Sequence, residues 1–408
     1  MNALGKSLMT KFDEIKARLR DVAAERAKRI GAYSLQKAQI IDGLPSSTIR
    51  LLTPDQAYGR DGPFASLKLR NWPWRNASSS GTSGVPLVFK QPLSALQREQ
   101  AFLDFAWEKA GFRHTARLAV MRGTRLSRPT RLIANRLMIS MSGWSDIEIE
   151  AKHQALGEFR PATIACYPSI LERFLLTCSR LELPPLPKVP LVLAGSEACS
   201  PQQMDLFRDT LGARTVSWYG QSEQVALSFL QRDGSHEFVP GYSELAFLPC
   251  GEMFEICGRS LLNPTFGGQG FYRTGDLCKR PFLRFSPFFG TDVIATEKLL
   301  GRASELIRSH EGKLFPLNNI IFGLHDADWR GLERYCVVHT RPGEFVFLYV
   351  QSDADAAFRV IRALSNRIPD GFTFEARPCP ELSGVEPAKW RYLVRDWSKL
   401  PPTARPQG

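Results

Sequence analysis

Between residues 6 and 30, Leu8, Phe12, Ile15, Leu19 and Val22 recur at helical spacing among lysines and arginines, which predicts a basic amphipathic helix. A second helix is predicted over 98–110. From about residue 160 the pattern alternates. A short apolar run at 162–166 predicts a strand. Ile170, Leu171, Phe174, Leu175 and Cys178 then mark one face of a helix. Prolines at 184, 185, 187 and 190 make a stiff connection to a buried strand at 191–194. Ser200, Pro201 and Gln203 have the spacing of a helix cap, a first-turn proline and a capping-box partner, and Gly212 stops that helix. A third strand follows at 215–219. Alternation of this kind predicts α/β layers with some parallel strands. The last hundred residues differ. Strands at 335–339, 345–351 and 372–376 and a helix at 354–368 predict a small α+β unit joined near Gly301.

At 408 residues the chain is too long for one core, so two or three packed units are expected. The organisation expected is a large unit over 1–300 with a helical extension at 1–45, a small unit over 301–400, and a tail at 401–408. Hydrophobic residues make up 43% and charged residues 23%, a soluble globular composition. No apolar run approaches the roughly 18 residues a spanning helix needs, so no transmembrane segment is expected. Residues 1–44 lack the layout of a secretory leader, and the default expectation is a cytoplasmic protein. The eight cysteines include no C-x-x-C pair and no histidine at ligand spacing, which argues against zinc and against a disulfide framework. The formal net charge is +12, and arginines gather at 113, 117, 122, 125, 128, 131 and 136. No nucleic-acid motif surrounds them. A solvated basic face is the first reading of this cluster, and an anion-binding surface the second.

Five segments carry candidate chemistry. Ser79, Ser80, Gly81, Thr82, Ser83 and Gly84 form a serine–glycine turn whose backbone N–H groups can close on a phosphate. A flexible linker is the other reading. Pro86, leading into the strand-like Leu87-Val88-Phe89, favours the cradle, and the absence of lysine after Gly84 rules out the Gly-Lys-Ser/Thr nucleotide loop. The second segment is Ser217-Trp218-Tyr219-Gly220-Gln221-Ser222-Glu223, placed where a strand should end, the ligand-binding edge of an α/β sheet. Tyr219 offers a flat face for a purine, and Glu223 a hard oxygen for Mg²⁺. The third is Tyr272-Arg273-Thr274-Gly275-Asp276, whose carboxylate can accept two sugar hydroxyls. The fourth joins Gly301-Arg302 to Gly312-Lys313-Leu314-Phe315-Pro316. The fifth is Pro387-Ala388-Lys389-Trp390-Arg391.

Taken in order, these segments resemble the adenylate-forming superfamily of acyl-CoA synthetases, and within it the phenylacetate–CoA ligase branch with its capsule-biosynthesis relatives. Met121-Arg122-Gly123, Tyr167-Pro168-Ser169-Ile170-Leu171 and Ala194-Gly195-Ser196-Glu197 support the likeness, which spans roughly 70–395. The resemblance implies a large N-terminal domain of mixed sheets with flanking helices and a small mobile α+β C-terminal domain. It implies ATP, Mg²⁺ and a small-molecule carboxylic acid as ligands. Residues 79–84 would lie over the β- and γ-phosphates. Ser196 and Glu197 would border the adenine and Tyr219, next to Gly220, would stack on it. Ser222 would contact the α-phosphate, Glu223 would hold Mg²⁺, and Asp276 and Arg302 would grip the ribose. Lys389 would reach the reacting oxygens, brought there by rotation about a hinge at 301–305.

Three positions depart from the family pattern: Val85 and Ala388 stand where lysine and glycine are common, and Ser304 where aspartate is common in the hinge. The cysteine cluster that some phenylacetate–CoA ligases carry after the Thr-Gly-Asp motif is also missing. These departures bear more on the second half-reaction than on adenylation. CoA is the default acyl acceptor. A carrier-protein thiol, or an amine or hydroxyl of a polysaccharide precursor, is the alternative. A degenerate nucleotide-binding homologue and a basic membrane-associated scaffold are the non-enzymatic rivals. The sequence does not identify the acid, and oligomeric state is unreadable, a homodimer being one option.

Overall fold

A computed structural model describes residues 51–52, 74–78, 88–122, 128–267, 270–321, 332–351, 353–384 and 393–402. The helix expected over 6–30, the serine–glycine segment 79–84 with Val85, and Ala388 with Lys389 lie outside the described residues.

The described chain opens with β1 (Leu51–Leu52), the hairpin strands β2 (Trp74–Ser78) and β3 (Val88–Pro92), and helix α1 (Leu93–Lys109). Then come β4 (Leu118–Arg122), β5 (Thr130–Ile133), β6 (Arg136–Ser140), α2 (Asp146–Phe159), β7 (Thr163–Cys166), α3 (Pro168–Arg180), β8 (Leu191–Ala194), α4 (Pro201–Leu211) and β9 (Arg214–Gly220). From there to residue 302 the regular elements of the described chain are strands: β10 (Leu227–Leu230), β11 (His236–Phe238), β12 (Ser243–Cys250), β13 (Met253–Ser260), β14 (Phe271–Cys278), β15 (Pro281–Ser286), β16 (Thr291–Thr296) and β17 (Leu299–Arg302). The remainder holds β18 (Leu306–Arg308), β19 (Leu314–Pro316), α5 (Asn318–Ile321), β20 (Leu332–Val338), β21 (Glu344–Gln351), α6 (Ala354–Ser365), β22 (Thr373–Pro378) and β23 (Leu393–Val394).

The protein is a mixed α/β fold of several sheets. The largest sheet has ten strands in the order β15-β16-β11-β10-β9-β8-β7-β4-β6-β5. Strands β9, β8, β7, β4 and β6 run parallel. Val192 and Ala194 point to the face covered by Leu156 of α2, Phe174 of α3 and Phe207 of α4. Leu191 and Leu193 point to the opposite face, where Trp107 of α1 and Phe112 pack. Period-two alternation between two buried faces explains why 191–194 reads as an unbroken apolar run. The expected cap of α4 is present in full: Ser200 N donates to Gln203 Oε1 (2.9 Å) and Gln203 N to Ser200 Oγ (3.1 Å). Gly212 closes the helix at φ 69°. Helix α1 begins five residues before the expected start, because Pro92 supplies its N-cap position ahead of a first turn without apolar periodicity.

A second sheet orders β1-β14-β13-β12, with β17 paired to β14. A four-stranded sheet, β22-β21-β20-β23, forms the C-terminal part. One of its faces packs Phe345 and Phe347 against Val360 and Leu364 of α6, and the other buries Val338, Leu348, Cys379 and Leu382.

Candidate active site

Strand β9 is the last of the parallel run, and β10 returns antiparallel beside it with Leu227 opposite Gly220. The turn between them, 221–226, lies past the C-terminal ends of the parallel strands, where an α/β sheet binds its ligands. Gln224 holds this turn at φ 60°, a conformation few non-glycine residues adopt. Its backbone N–H bonds Gln221 O (3.0 Å), and its fully buried side chain donates to Glu99 Oε2 (2.8 Å) and Ala95 O (3.3 Å). Gln91 of β3, 1% exposed, donates to Ser222 O (3.1 Å). The β2–β3 hairpin, whose strands bracket 79–87, is thereby fastened to the turn that carries Ser222 and Glu223. The end of the hairpin nearest that connection packs through Phe89 on Val225, Phe266 and Tyr272, with Ala77 alongside.

Asp276 arrives from the other sheet. Strand β14 bulges against β13 between Glu255 and Cys257. Gly275 sits in the bulged region at φ 74°, a left-handed conformation suited to glycine. Its N–H donates to Glu255 Oε1 (3.2 Å), and Arg273 donates to both oxygens of the same buried carboxylate through Nε (3.1 and 3.0 Å). Thr274 Oγ1 donates to Ile256 O (2.7 Å) and accepts from Asp276 N (3.0 Å). These bonds direct the Asp276 side chain toward β9 and β17. Tyr219 Oη donates to Asp276 Oδ2 (2.8 Å), Gln221 Nε2 donates to the same oxygen (3.3 Å) and to the Tyr219 hydroxyl, and Arg302 Nε lies 3.5 Å from Asp276 Oδ1. Asp276 and Arg302 are register partners across β14 and β17. Tyr272, four residues before Asp276, donates to Glu223 Oε1 (3.2 Å).

Burial raises the Glu223 carboxyl above its ordinary 4.5. Bonds from its own backbone N–H and from Tyr272 oppose this, Asp276 adds to it and Arg302 works against it. Asp276 is also raised, by burial first, with Arg302, Tyr219 and Gln221 opposing. Burial and the neighbouring Asp276 carboxylate push the Tyr219 phenol well above 10. Two largely buried carboxylates near one guanidinium leave a surplus negative charge when both are ionised, which a cation would relieve. Among the described residues no group of three or more His, Cys, Asp or Glu stands close enough to hold a metal. Glu223 fits an ion that takes one protein oxygen and fills its other positions with water and phosphate, as Mg²⁺ does.

Four sequence-predicted residues therefore come together: Tyr219, Glu223, Asp276 and Arg302. Gly220 and Ser222 flank them in the hairpin. Ser196 and Glu197 follow β8, one strand away at the same sheet edge. There Ser196 has φ 68°, and Glu197 accepts from Ser169 N (3.3 Å) and Oγ (2.6 Å) at the start of α3. Gly195 precedes them because a Cβ there would stand 2.4 Å from Trp218 Cζ2. Residues 79–84 and Lys389 lie outside the described residues. Sequence reasoning missed Gln221 and Tyr272, although both stand inside the quoted motifs. It also missed Gln91, Glu99, Gln224 and Glu255, whose roles depend on distant partners that no local pattern announces.

No protein-family model matches the chain, and no curated protein matches it in sequence. Solved structures do match. The chain is similar to 2-hydroxyisobutyryl-CoA ligase in the postadenylation state in complex with 2-HIB-AMP, at 13% identity over 94% of this chain and 89% of that one, with a TM-score of 0.55. A second structure of that ligase, in complex with R3-HIB-AMP, matches at 13% identity over the same shares of the two chains, with a TM-score of 0.53. The protein has the fold of these ligase structures.

Proposed function

We propose that the protein activates a carboxylic acid with ATP, forming an acyl-adenylate and pyrophosphate, and then transfers the acyl group, by default to CoA. The observation that carries this reading is the meeting of Tyr219, Glu223, Asp276 and Arg302 at one sheet edge, on a fold shared with a ligase solved with 2-HIB-AMP. The ring of Tyr219 would carry the adenine. Asp276, held by Tyr219, Gln221 and Arg302, would accept the ribose hydroxyls. Ser222 would meet the α-phosphate, and 79–84 would close over the β- and γ-phosphates. Glu223 would hold Mg²⁺, which, when bound, neutralises charge on the phosphates. Ser196 and Glu197 would border the adenine.

The chemistry asks mainly for positioning and charge. Carboxylate and triphosphate repel one another, and negative charge builds at the α-phosphate as the carboxylate attacks and pyrophosphate leaves. Lys389 would meet that charge, arriving with a C-terminal domain over 301–400 that turns about 301–305 against the 1–300 domain. A carrier-protein thiol, or an amine or hydroxyl acceptor, is the second reading, motivated by Val85, Ser304 and Ala388.

A pyrophosphate-release screen with MgATP across a broad panel of acids, each with and without CoA, tests the proposal. The expected result is AMP-forming turnover that requires both Mg²⁺ and a particular acid. No AMP-forming turnover with any acid would overturn it.

A further inference from the structure

Four of the arginines noted in the sequence, Arg113, Arg117, Arg131 and Arg136, lie at a corner away from the cleft, and Arg160 joins them. The Asn135 side-chain amide donates to Ala116 O (3.0 Å) and His114 O (3.3 Å), and Leu118 N donates to Asn135 O (3.0 Å). These bonds hold the β5–β6 turn against 113–117. Arg136 pairs with Leu118 in register on one side and with Ile133 on the other. Arg117 O accepts from Ala162 N (2.9 Å) and Thr163 N (3.3 Å), which brings Arg160 alongside. Arg113, Arg117, Arg131, Arg136 and Arg160 are all exposed. At the tip between them, Leu132 is 62% and Ile133 48% exposed.

The nearby carboxylates are engaged elsewhere. Asp104 and Glu108 each lie 3.5 Å from His114, and Glu158 accepts from Gln154 (2.8 Å). Among the described residues, none of the five arginines makes an ion pair with a carboxylate. The corner lies at the N-terminal end of the parallel strands, opposite the edge that carries Glu223.

We propose that this corner docks on an anionic phospholipid surface. Leu132 and Ile133 enter the headgroup boundary, and the arginines meet lipid phosphates and carboxylates. Charge alone would suit a nucleic acid or another polyanion equally well, but no nucleic-acid motif accompanies the arginines, and the two exposed side chains at the tip are branched aliphatics rather than the flat rings on which bases stack. A bilayer surface satisfies both features, since apolar side chains can enter the headgroup boundary while arginines are drawn to anionic headgroups. No helix of the described chain is long and apolar enough to cross a membrane, so the attachment proposed is peripheral. Docked this way, the chain keeps its cleft open to small ligands.

Flotation of the full chain with vesicles of phosphatidylcholine, with and without phosphatidylserine, tests it at physiological and raised salt. Binding should require phosphatidylserine and weaken as salt rises. Arg131→Gln and Arg136→Gln should each lower partitioning about fivefold, whereas Arg131→Lys and Arg136→Lys should retain it. Leu132→Ser with Ile133→Ser should also lower it, with an unchanged melting temperature. Three outcomes would overturn the proposal. One is no binding to phosphatidylserine vesicles at physiological salt. Another is binding that the Leu132/Ile133 double variant leaves untouched while RNA binds equally well, which would make the corner a general polyanion face. The third is conversion of a dimer to a monomer by these variants with no vesicle binding, which would assign the corner to a second copy of the chain.

Discussion

Glu223 is a buried carboxylate that the fold would prefer to keep neutral. It is 7% exposed, among the described residues its side-chain donor is the Tyr272 hydroxyl, and burial raises its pKa. A carboxyl raised in the folded state contributes stability that is complete below the unfolded value of about 4.5 and is lost as pH rises through the folded value. At neutral pH the ionised side chain therefore costs stability, while its proposed work on Mg²⁺ needs that same ionised form. Glu223→Gln keeps an acceptor for Tyr272 and removes the charge. This variant should melt at a higher temperature than the parent near pH 7 while losing about 10²–10³ in adenylation rate. In the parent, apparent Mg²⁺ affinity should weaken as pH falls through the raised pKa, because protons compete for the site. Thermal melts and Mg²⁺ titrations of pyrophosphate release across pH check both halves. A variant that lost stability and kept its rate would remove Glu223 from the proposed role.

At the scale of elements, what was legible depended on how local each signal is. Helices α3 and α4 could be read because their apolar faces, the first-turn prolines Pro168 and Pro201, and the caps of α4 act within a few residues. Strands β7 and β8 could be read because burial on both faces leaves a continuous apolar run. The strands between 227 and 302 escaped notice. Strand β14 contains Arg273, Thr274, Gly275 and Asp276, a composition typical of turns, and it is a strand because Glu255 on β13 satisfies its bulge. In the site, Tyr219, Glu223, Asp276 and Arg302 stood in recognisable motifs. The layer behind them did not, because a buried polar pair is a tertiary fact. Glu99 on α1 is the clearest case. It accepts from Tyr242 Oη (2.6 Å) and from Gln224 Nε2 (2.8 Å), and so ties a helix to the residue after Glu223. Glu99→Ala would leave the fully buried Tyr242 hydroxyl without its acceptor and should cost about 2–3 kcal/mol in urea unfolding. It should also weaken Mg²⁺ dependence, since the 221–226 turn loses one of its anchors. Glu99→Gln keeps a carbonyl for Tyr242 and removes a carboxyl whose pKa burial raises, so it should retain most of both properties. Equal stability for the alanine and glutamine variants would show that the bonds to Glu99 do not hold the turn.

At the scale of the whole molecule, among the described residues, the stretch 302–306 touches both the cleft and the C-terminal sheet. Arg302, which faces Asp276, belongs to β17, and the next regular strand already lies beyond a single 3₁₀ turn at Ala303–Glu305. Arg395, just past β23, donates to Ser304 O (3.3 Å) and to Leu306 O, fastening 304–306 to the C-terminal sheet. A turning motion of that sheet would then concentrate at 301–303. Gly301 stands there at φ 97°, outside the range that proline or a branched residue adopts. If the proposed rotation of 301–400 separates adenylation from transfer, Gly301→Pro should affect the two half-reactions unequally. Proline imposes φ near −65° and removes an N–H, so it would bias the junction toward one arrangement of the units. Misplacement of reacting groups by about 1 Å can cost about 10² in rate, so one half-reaction should fall by about that factor while the other changes much less. Pyrophosphate release without acceptor reads the first step, and single-turnover transfer from preformed acyl-adenylate reads the second, each with the acid and acceptor identified by the screen. A parallel loss in both steps accompanied by a lower melting temperature would mean that Gly301 serves the fold alone and that the pivot lies elsewhere.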